Sequence, residues 1–310
     1  MSMLWARIHI LLVQQTCVYR QKYLKMTFMK YTTLSKTILF CFLTANLIGC
    51  AKGSVSTLST GNSTTAIETP HGEAGDENAT GNPAVPEITD PSIFRLDREV
   101  KKFQARYGLE SASEKSTDNK GLGDTNLWGT RNFRVVLHGV LYRGGANNKY
   151  FDPPRSNTNP LPATGLNNLC KEDFSAAVYL YSENFSTAQK SVKCKNTDHQ
   201  DQTLTYKQYA AAGENEKILA MVYDRIKGKS NGPIYAHCWN GWHSSGLISG
   251  MALKQFCGWS NEKVDAYWMK NTDGNNQGFE TIRKRLRDFK PLVKFSISAE
   301  ERSLICPETY

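Results

Sequence analysis

The first 49 residues contain no aspartate and no glutamate, against six lysines and arginines. The formal net charge of +9 is therefore mostly a property of this leader, because 32 basic residues face 29 acidic ones beyond it. The basic excess in that remainder is mild and is not gathered into long clustered runs, which speaks against nucleic acid as a partner. No CxxC pair and no His/Cys spacing of the zinc type occurs, so neither a structural metal nor any other cofactor is expected. Internal repeats are absent as well. The apolar run TILFCFLTANLIG, residues 37–49, is too short to span a bilayer comfortably. With 40% hydrophobic and 22% charged residues the composition is that of an ordinary globular protein, so the informative features are local.

That apolar run follows Lys30 and Lys36 and has the length of an export-signal core. It ends in LIGC, residues 47–50, which resembles the bacterial lipobox. The resemblance implies cleavage before Cys50 and acylation of its thiol. It places the chain in the bacterial cell envelope, anchored in a lipid bilayer, with the outer membrane favoured over the inner because Ala51 rather than Asp follows the cysteine. Met26 or Met29 would start a leader of usual length, which makes residues 1–25 an upstream extension or a misplaced start. From 50 to 93 the chain is Ser, Thr, Gly, Asn, Pro and acid with isolated apolar residues, a disordered tether that buries too little surface to offset ordering entropy. The expected division is leader 1–49, tether 50–93 and one folded domain 94–310.

Within that domain, IFRLDREVKKFQARYG reads as a helix closed by Gly108, and NFRVVLHGVLYRGG as a strand or hairpin. FSAAVYLYS and PIYAHC are strand candidates. Helical spacing appears in NEKILAMVYDRIKG, SGLISGMALKQFCG, GFETIRKRLRDFK and SNEKVDAYWMKN, the last with Ser260 as N-cap. Alternation of strands and helices argues for an α/β fold with a largely parallel central sheet flanked by helices.

The stretch HCWNGWHSSG, residues 237–246, joins a strand to a helix through a glycine turn. Such a turn gathers backbone N–H groups and the positive helix end around one point, an anion site that would also stabilise a thiolate at Cys238. Here the chain resembles the cysteine-dependent protein tyrosine and dual-specificity phosphatases, whose signature is His-Cys, five residues, Arg, Ser or Thr, and usually Gly. His237, Cys238, Gly241, Ser245 and Gly246 stand in register, and the likeness extends over roughly residues 130–290. It implies a dual-specificity-phosphatase-like sheet and hydrolysis of a phosphate ester, on a phosphorylated small molecule or protein. In that reading Cys238 is the nucleophile, the 239–245 backbone holds the oxyanion, and Ser245 eases thiolate departure.

The signature arginine is replaced by Ser244, which offers neither a fork of donors nor a charge. Three readings stay open: a surrogate cation, with His243, Arg143 or Arg225 as candidates; binding of a phosphorylated or anionic ligand without turnover; and thiol chemistry on another group. Trp239 and Trp242 are candidate pocket walls as well as candidate packing residues, and Asn240 is a candidate for orienting the loop. Asp201, with Asp198 beside it, is the candidate general acid. Of the cysteines past residue 50, keeping Cys238 free leaves four to pair; Cys170–Cys194 with Cys257–Cys306 is the simplest of three arrangements.

Overall fold

Helix α1, Leu96–Tyr107, ends where Gly108 takes a left-handed conformation (φ 58°) and returns its N–H to Gln104 O, the stop that the sequence predicts. The structure is a computed structural model and describes residues 93–156 and 160–307. The expected leader, the expected acylation at Cys50 and the expected tether up to residue 92 fall outside the described residues. No described helix is long and apolar enough to cross a membrane.

Strands β1 (Thr130–Leu137) and β2 (Leu141–Ala146) form the expected hairpin and are buried along their whole length. Helix α2 (Ala163–Lys171), strands β3 (Ala176–Tyr179), β4 (Ser191–Lys195) and β5 (Asp201–Gln208), and helix α3 (Asn215–Ile226) follow. Strand β6, Ile234–Cys238, then carries the signature cysteine as its last residue. The sheet order is β1-β2-β6-β3-β5-β4. Neighbours from β2 to β5 run parallel, and each edge carries one antiparallel strand, so the largely parallel α/β sheet is as expected. Because β6 lies between β2 and β3, Cys238 emerges at the middle of the sheet's carboxyl edge, where open α/β sheets place ligands.

Helix α4, His243–Cys257, leaves that edge and is buried continuously from Ser245 to Phe256. Apolar on nearly every side, it is the central helix of its layer. Around it pack α5 (Asn261–Lys270), α6 (Glu280–Asp288) and α7 (Ala299–Ile305). Ser260 caps α5 by accepting from Lys263 N, and Ser298 with Glu301 forms a capping box on α7, a helix not read from the sequence. The opposite face of the sheet holds an aromatic cluster that includes Phe103, Phe133, Tyr142, Phe174 and Tyr235. Disulfides Cys170–Cys194 and Cys257–Cys306 are formed, and Cys238 is free.

One stretch differs from expectation. Residues around Asp198 and Asp201 form the turn and first residue of the β4–β5 hairpin rather than a loop at the site. In β5 only Leu204 and Tyr206 are buried, a period-2 signal thinned by the polar residues of a near-edge strand.

Candidate active site

The loop after Cys238 is held from behind by the β1–β2 hairpin. Arg131 donates from Nε to Trp239 O (3.1 Å), Asn132 from Nδ2 to Asn240 O (2.6 Å), and Arg143 from Nη2 to Gly241 O (2.6 Å). Trp242 O accepts the first helical bond of α4, from Gly246 N (3.1 Å). Four successive carbonyls are thus turned toward the hairpin or along the helix. An antiparallel bridge between Gly145 and Asn240 ties the loop backbone to the hairpin as well, while the first-turn N–H groups of α4 have no side-chain cap. A loop that ends in free helix-start N–H groups, here termed the cradle, has the chemistry to meet an anion.

Close approach is possible because the hairpin is bare where the loop crosses it. A Cβ on Gly145 would stand 2.5 Å from Asn240 C, and one on Gly241, whose φ is +80°, would stand 2.6 Å from Gly144 C. The three arginines of the hairpin, Arg131, Arg134 and Arg143, are at most 1% exposed, so their charge sits in low dielectric behind the cradle. Burial pushes Arg134 down to about 10, with Arg143 adding repulsion, which leaves it charged at neutral pH. Asp273 faces Arg134 at 3.6 Å and Lys115 at 2.8 Å. Burial alone would raise its carboxyl, but these cations and the Trp242 indole hold it below the ordinary value.

Cys238 Sγ lies 3.5 Å from Ser245 Oγ, both buried. Tyr181 lies near them: burial, followed by the proximity of Cys238, pushes its phenol well above the ordinary value. Its ring packs 4.8 Å from Trp239, whose Nε1 donates to Tyr179 Oη (3.4 Å).

His237, expected among the binding residues, is fully buried. Its Nδ1 bonds Cys238 O (3.2 Å) and its Nε2 bonds Tyr206 Oη (2.7 Å). A carbonyl only accepts, so Nδ1 carries the proton and Nε2 accepts from the tyrosine. The ring therefore positions the Cys238 backbone. Burial pushes its pKa down from 6.5 to about 3. Between those values the unfolded chain binds the proton and the folded one does not, so stability falls as pH drops through this window. His237→Gln is expected to flatten that fall, read as the difference in urea midpoint between pH 7.5 and 4.5; some slope remains because burial also lowers His138 and His243. An undiminished slope would show that His237 does not titrate this way.

His243 does not supply a cation. Burial lowers its ring against an opposing bond to Asn275 O (2.6 Å), and the ring stacks 3.7 Å over Phe279. A neutral imidazole whose Nε2–H is engaged is packing, and the expectation is corrected accordingly. Arg143 grips loop carbonyls, Tyr267 Oη (3.0 Å) and Asn271 O (3.3 Å) with no face toward the cradle, while Arg225 is spent on Glu99 (2.6 Å) and Gly139 O (3.2 Å).

Asp201 is corrected too. In the parallel register Thr205 stands level with Ala176 and Ile234, so Asp201 lies four residues before that level and Cys238 four after it. At about 3.3 Å per residue they are roughly 25 Å apart along the sheet. Asp201 pairs instead with Lys195 (2.8 Å), its side chain 88% exposed. Trp242 donates to Asp273 (3.1 Å) and Asn240 Oδ1 accepts from Arg131, so both side chains brace the loop. Gly246 is required by packing, since a Cβ there would stand 2.8 Å from Trp268 Cδ1. Arg131, Asn132 and Tyr181 were not anticipated; the available signal was an arginine and an asparagine inside a strand otherwise apolar enough to be wholly buried.

No family model matches the chain, and no curated protein does. Solved structures similar to it include TpbA of P. aeruginosa, at 14% identity over 50% of this chain and 86% of that one, with a TM-score of 0.32. The core catalytic domain of the PP-IP phosphatase SIW14 of S. cerevisiae, in complex with citrate, is similar at 15% identity over 52% of this chain and 86% of that one, TM-score 0.33. Tk-PTP in the active form is similar at 15% identity over 49% of this chain and 94% of that one, TM-score 0.31.

Proposed function

We propose that this domain captures the phosphoryl group of a phosphate ester, or an oxyanion of like shape, in the 239–245 loop in front of Cys238, and that capture rather than rapid turnover is its function. The observation that carries the reading is the backward turn of the loop carbonyls onto Arg131, Asn132 and Arg143. It fixes the loop around the uncapped start of α4, whose N–H groups would meet an oxyanion, with buried positive charge behind them. Turnover has less support: Ser244 stands where a charged fork would hold the transferring group, and Asp201 is too distant to protonate a leaving group. The ligand is a phosphorylated small molecule or protein. In the same reading the domain is displayed from an envelope membrane, the outer one by preference, by acylated Cys50 and the tether that follows it.

A second reading keeps the hydrolysis. Among the described cysteines Cys238 is free while Cys170, Cys194, Cys257 and Cys306 are paired, and Ser245 Oγ lies beside its sulfur. The thiolate would attack phosphorus, the ester oxygen would leave with its electron pair and take a proton from water, and a second water would release phosphate and the thiol.

Titration of inorganic phosphate into the purified full chain and into Cys238→Ser decides between them. The binding reading expects dissociation constants within about threefold of each other, since the cradle is backbone, and aryl phosphate hydrolysis near background in both. Brisk hydrolysis by the unmodified chain that vanishes in Cys238→Ser would replace capture with catalysis. No phosphate binding by either protein would remove both readings.

A further inference from the structure

Beside the position of the missing arginine the domain has a cavity of about 320 Å³, floored by Leu180, Leu247 and Ile282, with Tyr181, Ser244 and Arg285 around it. Ser244 itself lines this cavity together with Tyr181, so the cavity opens on the helix start that follows the loop. A volume about ten times that of a liquid water molecule holds a phosphoryl group and a small organic substituent.

Helix α6 sets one wall, and its basic residues are not alike. Arg283 pairs with Asp265 (2.5 Å) and Glu280 (3.1 Å), Arg287 with Asp265 (3.1 Å) and Glu280, and Lys284 with Asp288 (2.5 Å). Arg285, between them, has no carboxylate partner among the described residues. It donates from Nη1 to Ala212 O (3.0 Å), the backbone of the segment that follows β5, and is otherwise exposed at the cavity. No carboxylate lines this cavity to neutralise it.

We infer that Arg285 supplies, from α6, the cation that the loop itself lacks, closing on the phosphoryl group that enters through this cavity. An arginine delivered from a following helix gives the fork and permanent charge that Ser244 cannot, while one prong stays on Ala212 O. The ligand is thereby a phosphate monoester with a small, largely apolar organic part resting on Leu180, Leu247 and Ile282. This inference rests on the proposed capture of an oxyanion by the 239–245 loop.

The test is the dissociation constant of inorganic phosphate for the full chain, for Arg285→Ala and for Arg283→Ala, at low and at moderate salt. Arg285→Ala is expected to weaken binding about tenfold or more and to flatten its salt dependence, whereas Arg283→Ala, a residue turned to Asp265, changes neither. Combining Arg285→Ala with Ser244→Arg is expected to restore binding, since the charge returns to the same anion from the loop. If the unmodified chain binds phosphate and Arg285→Ala binds it equally well, the role of Arg285 is refuted and capture by the loop stands. If the unmodified chain does not bind phosphate, both fall together. Thermal unfolding of Arg285→Ala separates a lost anchor on Ala212 O from a lost charge: a folded variant with unchanged midpoint and weakened binding supports the charge, and weakened binding that Arg285→Lys does not improve refutes it.

Discussion

Arg143→Lys is expected to weaken phosphate binding on the order of a hundredfold while leaving Cys238 and every loop residue in place. Arg143 is fully buried and spreads its fork over Gly241 O, Tyr267 Oη and Asn271 O, with Nε unpartnered. An ammonium reaches one of these acceptors but not all, so the Gly241 carbonyl loses its fixed direction and the amide after it no longer points reliably at the ligand. Hydrogen bonds to a charged donor contribute about 1.5–3 kcal/mol each, and a hundredfold in affinity corresponds to about 2.7 kcal/mol. Stability is expected to fall less than the bonds alone suggest, because the native arginine is itself a buried charge without a contacting carboxylate. The measurement is phosphate titration of a variant shown to be folded by thermal unfolding. A folded Arg143→Lys with native affinity would mean that the loop holds its shape without the hairpin.

Ser244→Arg is expected to raise hydrolysis of an aryl phosphate by about 10³ or more over the unmodified chain, with the gain abolished when Cys238→Ser is added. Arginines that neutralise a transferring phosphoryl group contribute on the order of 10³ to 10⁵ in rate. The other parts of such a site are in place here: a free cysteine at the sheet edge, a backbone cradle, and Ser245 Oγ 3.5 Å from the sulfur. The cavity of about 320 Å³ beside Ser244 has room for the longer side chain. An aryl substrate is chosen because its phenolate leaves without a proton, and the acid expected at Asp201 is roughly 25 Å away by strand geometry. Phosphate bound tightly but no hydrolysis gained in Ser244→Arg would show that the missing arginine is not what limits this site.

Much of the fold was legible because it rests on local rules. The stop of α1 at Gly108 and the cap of α5 at Ser260 are properties of a few consecutive residues. PIYAHC was legible as a short apolar strand and SGLISGMALKQFCG as a helix, whereas the central burial of α4 is shown by the structure alone. The β4–β5 hairpin was obscure because its outward residues outnumber its buried ones, leaving Leu204 and Tyr206 as a faint alternation. The two disulfides were the simplest arrangement once Cys238 was set aside, and the structure pairs them so.

What the sequence by itself determined is the chemical inventory and its order: Cys238 at a strand end, a glycine turn, a helix start, and Ser244 in the first turn of that helix. What only the tertiary structure decided is which cation serves which group. Arg143, Arg225, His243 and Arg285 can all carry positive charge by residue type, yet one is buried on loop carbonyls, one is paired with Glu99, one has its pKa lowered by burial, and one stands at the cavity without a carboxylate partner among the described residues. The physical reason is that a helix or turn is set by neighbours a few residues away, whereas the work a charge does depends on the dielectric and partners around it. Here the fold brings those partners from as far as 128 residues along the chain, as in the bond from Arg143 to Asn271 O.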